Sequence, residues 1–160
     1  MATTFPIPTP SEFSTQLEHL VGRGIHTIPA KPVDPCVAEF AVYVNDAGVP
    51  VVVCICEVSF AASAGAALSL IPPGVARESM LSLTLSAGLR DNFNEVANIL
   101  AGLFNGPETP HVRFDTLAAR RSRLHPAADA LIDNAAGTAD YEVSIEGYGS
   151  GRISIRGAEV

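Results

Sequence analysis

The chain has 160 residues, 48% hydrophobic and only 17% charged, with a formal net charge of −7. That length suits one domain with a substantial core and leaves little room for two, so residues 1–160 read as a single domain. The acidic balance, with no basic run denser than Arg120-Arg121-Ser122-Arg123, argues against nucleic acid or an anionic membrane as the main partner.

Residues 1–10 read as an extended, proline-rich lead-in without the basic region and apolar core of a targeting signal, and no apolar run is long enough to span a bilayer. A cytoplasmic protein is expected. The low charge density suggests apolar surface at an interface, and a homodimer fits. Ser11 is a candidate N-cap for a helix over residues 12–21, with Phe13, Leu17, Leu20 and Val21 as its buried stripe. Residues 22–35 read as a Gly/Pro-rich loop in which His26 lacks a catalytic partner and is structural. Residues 37–44 and 49–58 form a predicted hairpin across Asn45-Asp46-Ala47-Gly48, one strand deeply buried. Cys36, Cys54 and Cys56 lack the spacing and partners of a zinc site and read as buried thiols.

Residues 59–70 are rich in Ala and Gly, which lets a helix approach its neighbour closely, and they carry no phosphate-loop pattern. Pro72-Pro73-Gly74 ends that run, residues 77–85 lead toward a long helix, and Gly88 marks a bend or break. After that helix come a strand over residues 112–117, a basic loop over 120–126, a short helix or irregular crossover over 127–136, and a second hairpin from residues 138–145 and 151–156. The sum is an α+β domain: a mixed sheet from two hairpin regions and a further strand, with long helices packed on it. Ser150, His125 and Asp129 offer triad residue types, but no nucleophile-elbow spacing connects them.

The long helix, residues 89–105, carries the functional signal. At about 100° per residue, Leu89, Phe93, Val96, Ala97, Leu100, Leu103 and Phe104 gather on one face, and Asp91, Glu95, Asn98, Gly102 and Asn105 on the other. A face chosen only for solubility would use Glu, Lys, Arg, Gln or Ala. Asn costs roughly 0.5–0.7 kcal/mol in a helix interior and Gly about 0.8–1. Asp91, Glu95 and Asn98 stand side by side at i, i+4 and i+7, and Gly102 clears space beside them.

The string Asp91-x-x-x-Glu95-x-x-Asn98-Ile99, followed by Gly102 and Asn105, resembles the signature helix of the CheC/CheX/FliY group of chemotaxis phosphatases, whose motif opens D/S-x-x-x-E-x-x-N. The order of strand, strand, helix and signature helix extends the resemblance over residues 35–157. No second E-x-x-N lies in the first half of the chain, so the likeness is to single-site, CheX-type members; where the CheC form has a later proline, this chain has Arg121. The resemblance implies a phosphatase acting on the aspartyl phosphate of a CheY-like response regulator. Asn98 would position the attacking water and Glu95 would pair with the receiver's lysine, with Asp91, Gly102 and Asn105 contacting the partner. It implies no cofactor or metal of the chain's own, since Mg2+ would be held by the receiver. The alternative it allows is a non-catalytic interaction module like the middle domain of flagellar switch proteins.

Overall fold

A computed structural model describes residues 4–160. In chain order it has helix α1 (Pro10–Val21), strands β1 (Ile25–Pro29), β2 (Glu39–Asn45) and β3 (Pro50–Cys56), helices α2 (Val58–Leu68), α3 (Pro73–Ser82) and α4 (Ala87–Leu100), strand β4 (Val112–Ala118), helix α5 (Pro126–Asn134), and strands β5 (Gly137–Ile145) and β6 (Gly149–Gly157). Single 3-10 turns, Ala101–Phe104 and Arg121–Arg123, follow α4 and precede α5. The strands form one sheet in the order β1-β5-β6-β3-β2-β4, and every neighbouring pair is antiparallel. The α+β class agrees with the sequence reading, but the sheet is antiparallel throughout where a mixed one is expected, and it has one strand more.

Both faces of the central sheet are covered, so β2 and β3 are buried along almost their whole length. Phe40, Val42, Val44, Val53 and Ile55 pack on Ala128, Leu131 and Ile132 of α5. The alternate residues, Ala41, Tyr43, Val52, Cys54 and Cys56, pack with α1, α2 and α4. A strand covered on two sides has no polar face to alternate with, which is why Pro50–Cys56 is apolar throughout, while the end of the predicted strand over 49–58 passes into Glu57 and α2. Both strands are deeply buried, not one. Burial pushes the thiols of Cys54 and Cys56 well above their ordinary range. Cys36, expected to be buried with them, is exposed in the turn before β2.

Three local expectations change. Helix α1 begins at Pro10 with Thr9 as its cap, not Ser11: the Thr9 hydroxyl accepts from the Glu12 N–H and the Glu12 carboxylate accepts from the Thr9 N–H, closing a capping box with proline at the first helical position. The loop over residues 22–35 contains the edge strand β1, in which only Thr27 is buried and His26 is exposed. With one covered side chain in five and a proline at its end, it lacked an alternation signal. Pro73 opens α3 as well as following α2, and Gly88 lies in the first turn of α4 behind the Ser86 cap instead of breaking it. Of the expected lead-in, Met1 to Thr3 lie outside the described residues, while Phe5 is buried in the core and Thr4 pairs with Glu159.

Helix α4 is held from two sides, by α2 and by the sheet. The small-residue run of α2 does what its composition implies, since a Cβ on Gly65 would stand 2.9 Å from the Leu89 carbonyl oxygen. The Asn92 amide donates to the Gly65 carbonyl at 2.9 Å. From the sheet, Glu39 of β2 accepts two hydrogen bonds, at 2.6 and 2.7 Å, from Nη2 of Arg90, and the Tyr43 hydroxyl donates to the Ala97 carbonyl at 2.7 Å. Phe93 fills the centre, 1% exposed, with its ring edge-on to Phe60 at 5.8 Å.

Phe93→Ala is therefore expected to lower stability by about 3–5 kcal/mol in urea unfolding, through lost burial and the cavity left behind. The Glu39 carboxyl gives a pH-dependent check. Burial raises it above its ordinary value of 4.5, and the Arg90 guanidinium offsets only part of that rise. The folded chain thus holds this proton more tightly than the unfolded one. Its contribution is fully present below the unfolded value and is lost as pH rises through the raised folded value. The stability difference between wild type and Glu39→Gln should fall with rising pH across that window, read from unfolding curves at stepped pH.

Candidate functional site

The packed face of α4 fixes what its other face presents. With Leu89, Phe93, Val96, Ala97 and Leu100 buried, Asp91, Glu95 and Asn98 are all exposed, in an arc of about 60° and along about 10 Å of helix. Glu95 and Asn98, one turn apart, bring a carboxylate and a carboxamide to neighbouring positions, with Cβ atoms about 5–6 Å apart. Their helix neighbours Arg90 and Asn92 are turned inward and paired. Among the described residues, no side-chain hydrogen bond or ion pair involves Asp91, Glu95 or Asn98. Ile99, 38% exposed, adds an apolar flank to the ridge.

Two glycines bracket this ridge, Gly88 at its start and Gly102 beyond its end. Neither has the positive φ that favours glycine, and a Cβ on either would meet nothing within 4 Å. The chain's own packing therefore gives no reason for them, although each weakens the helical backbone relative to alanine. What they provide is open space beside the polar side chains.

Past Asn98 the helix tightens. The Ala101 N–H points to the carbonyls of Asn98 and Ile99, and residues Ala101–Phe104 continue as a 3-10 turn. Asn105, grouped with the stripe by periodicity, serves the backbone around it. Its amide nitrogen donates to the carbonyls of Ala101 and Val112, both at 2.9 Å, and its oxygen accepts from the Val112 N–H at 2.8 Å. It ties the end of the turn to the start of β4. The structure thus leaves Asp91, Glu95, Asn98 and Gly102 open on one ridge, with Asn105 engaged at its foot.

Near the N-terminal end of α4, Arg90, Thr84, Leu85, Glu39 and Arg120 line a cleft of about 450 Å³. Arg121, where the CheC form has proline, is bound at 2.7 Å by both Asp129 and Asp133 of α5, on the opposite face of the sheet. The triad residue types have other partners or places: His125 caps α5 through the Ala127 N–H, Asp129 holds Arg121, and Ser150 lies in β6. Among the described residues no group of three or more His, Cys, Asp or Glu is arranged to hold a metal ion, and no helix is long and apolar enough to cross a membrane.

Sequence reasoning missed the supports of the ridge, Tyr43, Glu39 and Arg90. A single glutamate at the head of an otherwise apolar strand was a usable signal, because a buried carboxylate needs a cation; Tyr43 gave none, since its phenol looks like one more apolar core residue.

No protein-family model and no curated protein matches the chain. Solved structures do match it in three dimensions. A chain of the CheX–CheY–BeF3–Mg2+ complex from Borrelia burgdorferi is 13% identical, with 91% of this chain and 92% of that one covered and a TM-score of 0.53. The FliM middle domain from H. pylori is 15% identical over 93% of this chain and 84% of its own, with a TM-score of 0.54. FliY from Thermotoga maritima is 12% identical over 91% and 81%, with a TM-score of 0.50. The chain has the CheC/CheX/FliY-like fold that its signature helix implied.

Proposed function

We propose that this protein accelerates hydrolysis of the aspartyl phosphate of a CheY-like response regulator, with Asn98 and Glu95 entering the receiver's phosphorylation site. The observation that carries the reading is the unpaired, exposed Glu95/Asn98 pair on a ridge cleared at both ends. Phosphoryl transfer passes through a loose transition state, so catalysis rests on positioning and charge stabilisation and needs no nucleophile from this chain. The Asn98 amide has a donor and an acceptor free of its own chain, enough to hold a water in line with the phosphorus. Glu95 pairs with the receiver's active-site lysine, and Mg2+ is held by the receiver's own carboxylates.

In this reading Asp91 borders the contact, Gly102 leaves room for the partner's backbone, and Asn105 holds the turn in place. A solved neighbour of the same fold contains CheX together with CheY, BeF3 and Mg2+, which supports a receiver as the partner. A protein with a net charge of −7 gains no steering toward an acidic receiver. Recognition then depends on short-range packing around Ile99 and the two glycines. A cytoplasmic location and a homodimer belong to the same proposal, the dimer resting on the apolar composition and the exposed Leu70, Leu81 and Leu83. The alternative, a binding module that hydrolyses nothing, draws on the likeness to the FliM middle domain. The exposed, unpartnered Asn98 amide beside Glu95 favours catalysis, because it has the donor and the acceptor that a positioned water needs.

Decay of a radiolabelled phospho-receiver with and without the protein tests the proposal. Asn98→Ala should abolish the acceleration without loss of stability, raising it by at most about 0.7 kcal/mol, since the amide is exposed and Ala is the better helix former. Binding without acceleration would select the module, and equal decay for every receiver of the same genome would end the phosphatase reading. Gly102→Ala should move the two readouts in opposite directions, raising stability by about 0.4–1 kcal/mol and slowing the receiver's dephosphorylation.

A further inference from the structure

We propose that Tyr43 is a positioning residue that aims Asn98 by fixing where α4 ceases to be an α-helix. Tyr43 lies in β2, 0% exposed, and its hydroxyl donates to the carbonyl of Ala97, the residue before Asn98, at 2.7 Å. In an uninterrupted α-helix that carbonyl is served by the N–H of residue 101. Here the Ala101 N–H points to the carbonyls of Asn98 and Ile99, and the 3-10 turn begins. The phenol supplies the Ala97 carbonyl with a strong donor at the level where the backbone bond shifts, so the helix tightens without leaving a buried acceptor short.

The donor is itself immobile. The Tyr43 ring is packed edge-on against Phe104 at 4.9 Å and Phe114 at 5.6 Å. Burial holds the phenol well above its ordinary range, so the hydroxyl keeps its proton and stays a donor throughout working pH. Packing alone does not explain the residue, because phenylalanine would fill the same volume without burying a hydroxyl. The hydroxyl position fixes the orientation of the peptide joining Ala97 to Asn98, and with it the direction of the Asn98 Cα–Cβ bond. Tightening from about 3.6 to 3.0 residues per turn one residue earlier or later would rotate that direction.

The catalytic consequence rests on the phosphatase reading above, whereas the geometric part does not. Tyr43→Phe is compared with Tyr141→Phe, which also removes a buried phenol bond, that to the Pro8 carbonyl at 2.6 Å. Tyr43→Phe should lower kcat for receiver dephosphorylation by about 10- to 100-fold, the loss expected of a misplaced reacting group, with KM little changed. NMR of the free protein should show altered Asn98 χ1 couplings and a shifted Ala101 amide. Tyr141→Phe should change neither readout. Unchanged Asn98 couplings in Tyr43→Phe, or a kcat loss matched by Tyr141→Phe, would overturn the proposal. If the wild type dephosphorylates no receiver, the phosphatase reading falls, and the couplings alone decide the role of Tyr43.

Discussion

Leu89, Phe93, Val96, Ala97 and Leu100 leave α4 no freedom to roll about its axis. Rotation would carry Asp91 or Glu95 into an apolar core, and burying an unpaired carboxylate costs more than a domain of this size has to spare. The roll of the helix is set by the hydrophobic effect, which is strong but not directional. Directional contacts complete the placement: Arg90 on Glu39, Asn92 on the Gly65 carbonyl, and Tyr43 on the Ala97 carbonyl. Each comes from a surface already rigid for its own reasons, so an exposed ridge is positioned without being touched.

The ridge departs from the rules that make a helix stable, and does so only where the chain's own packing gives no reason. Asn98, Gly88 and Gly102 lower helix propensity, yet none is demanded by a turn or a close neighbour within the chain. The small residues of α2 differ, because Gly65 is required by the nearness of the α4 backbone. Glycine is thus used in two ways on the same side of the sheet, once to admit this protein's own helix and once to leave room that nothing in the chain fills. Local inconsistency of the second kind concentrates at functional surfaces.

How much of this was legible follows from what each segment buries. The signature helix keeps its face assignments over Leu89 to Leu100 because a strong 3.6-residue period leaves one arrangement, whereas the predicted helix over 101–105 is a 3-10 turn followed by extended chain. The central hairpin was found from its β-branched run, although burial on both faces hid which residues point toward α4. Strand β1 and helix α3 were not read, the first because one covered residue in five makes no period, the second because Pro72-Pro73-Gly74 reads as a stop whereas Pro73 is the first residue of a new helix. Asn105 fell in the polar stripe by angle but serves the backbone, and periodicity cannot separate an amide that waits for a partner from one that caps its own turn. The Glu39–Arg90 and Tyr43–Ala97 contacts join residues 51 and 54 positions apart, a separation at which sequence offers residue types but no geometry.

In the proposed function a receiver domain docks on the bare faces of Glu95 and Asn98. Mapping amide and side-chain shifts of the isotopically labelled protein, as a receiver locked in its phosphorylated form by a phosphate mimic is titrated in, tests this most directly. Perturbations should centre on Asp91, Glu95, Asn98, Ile99 and Gly102, including the Asn98 side-chain amide, and fade toward α5 and β1. Perturbations confined to α5, β1 or the exposed end of α3, with the Asn98 amide unmoved at saturation, would contradict this docking.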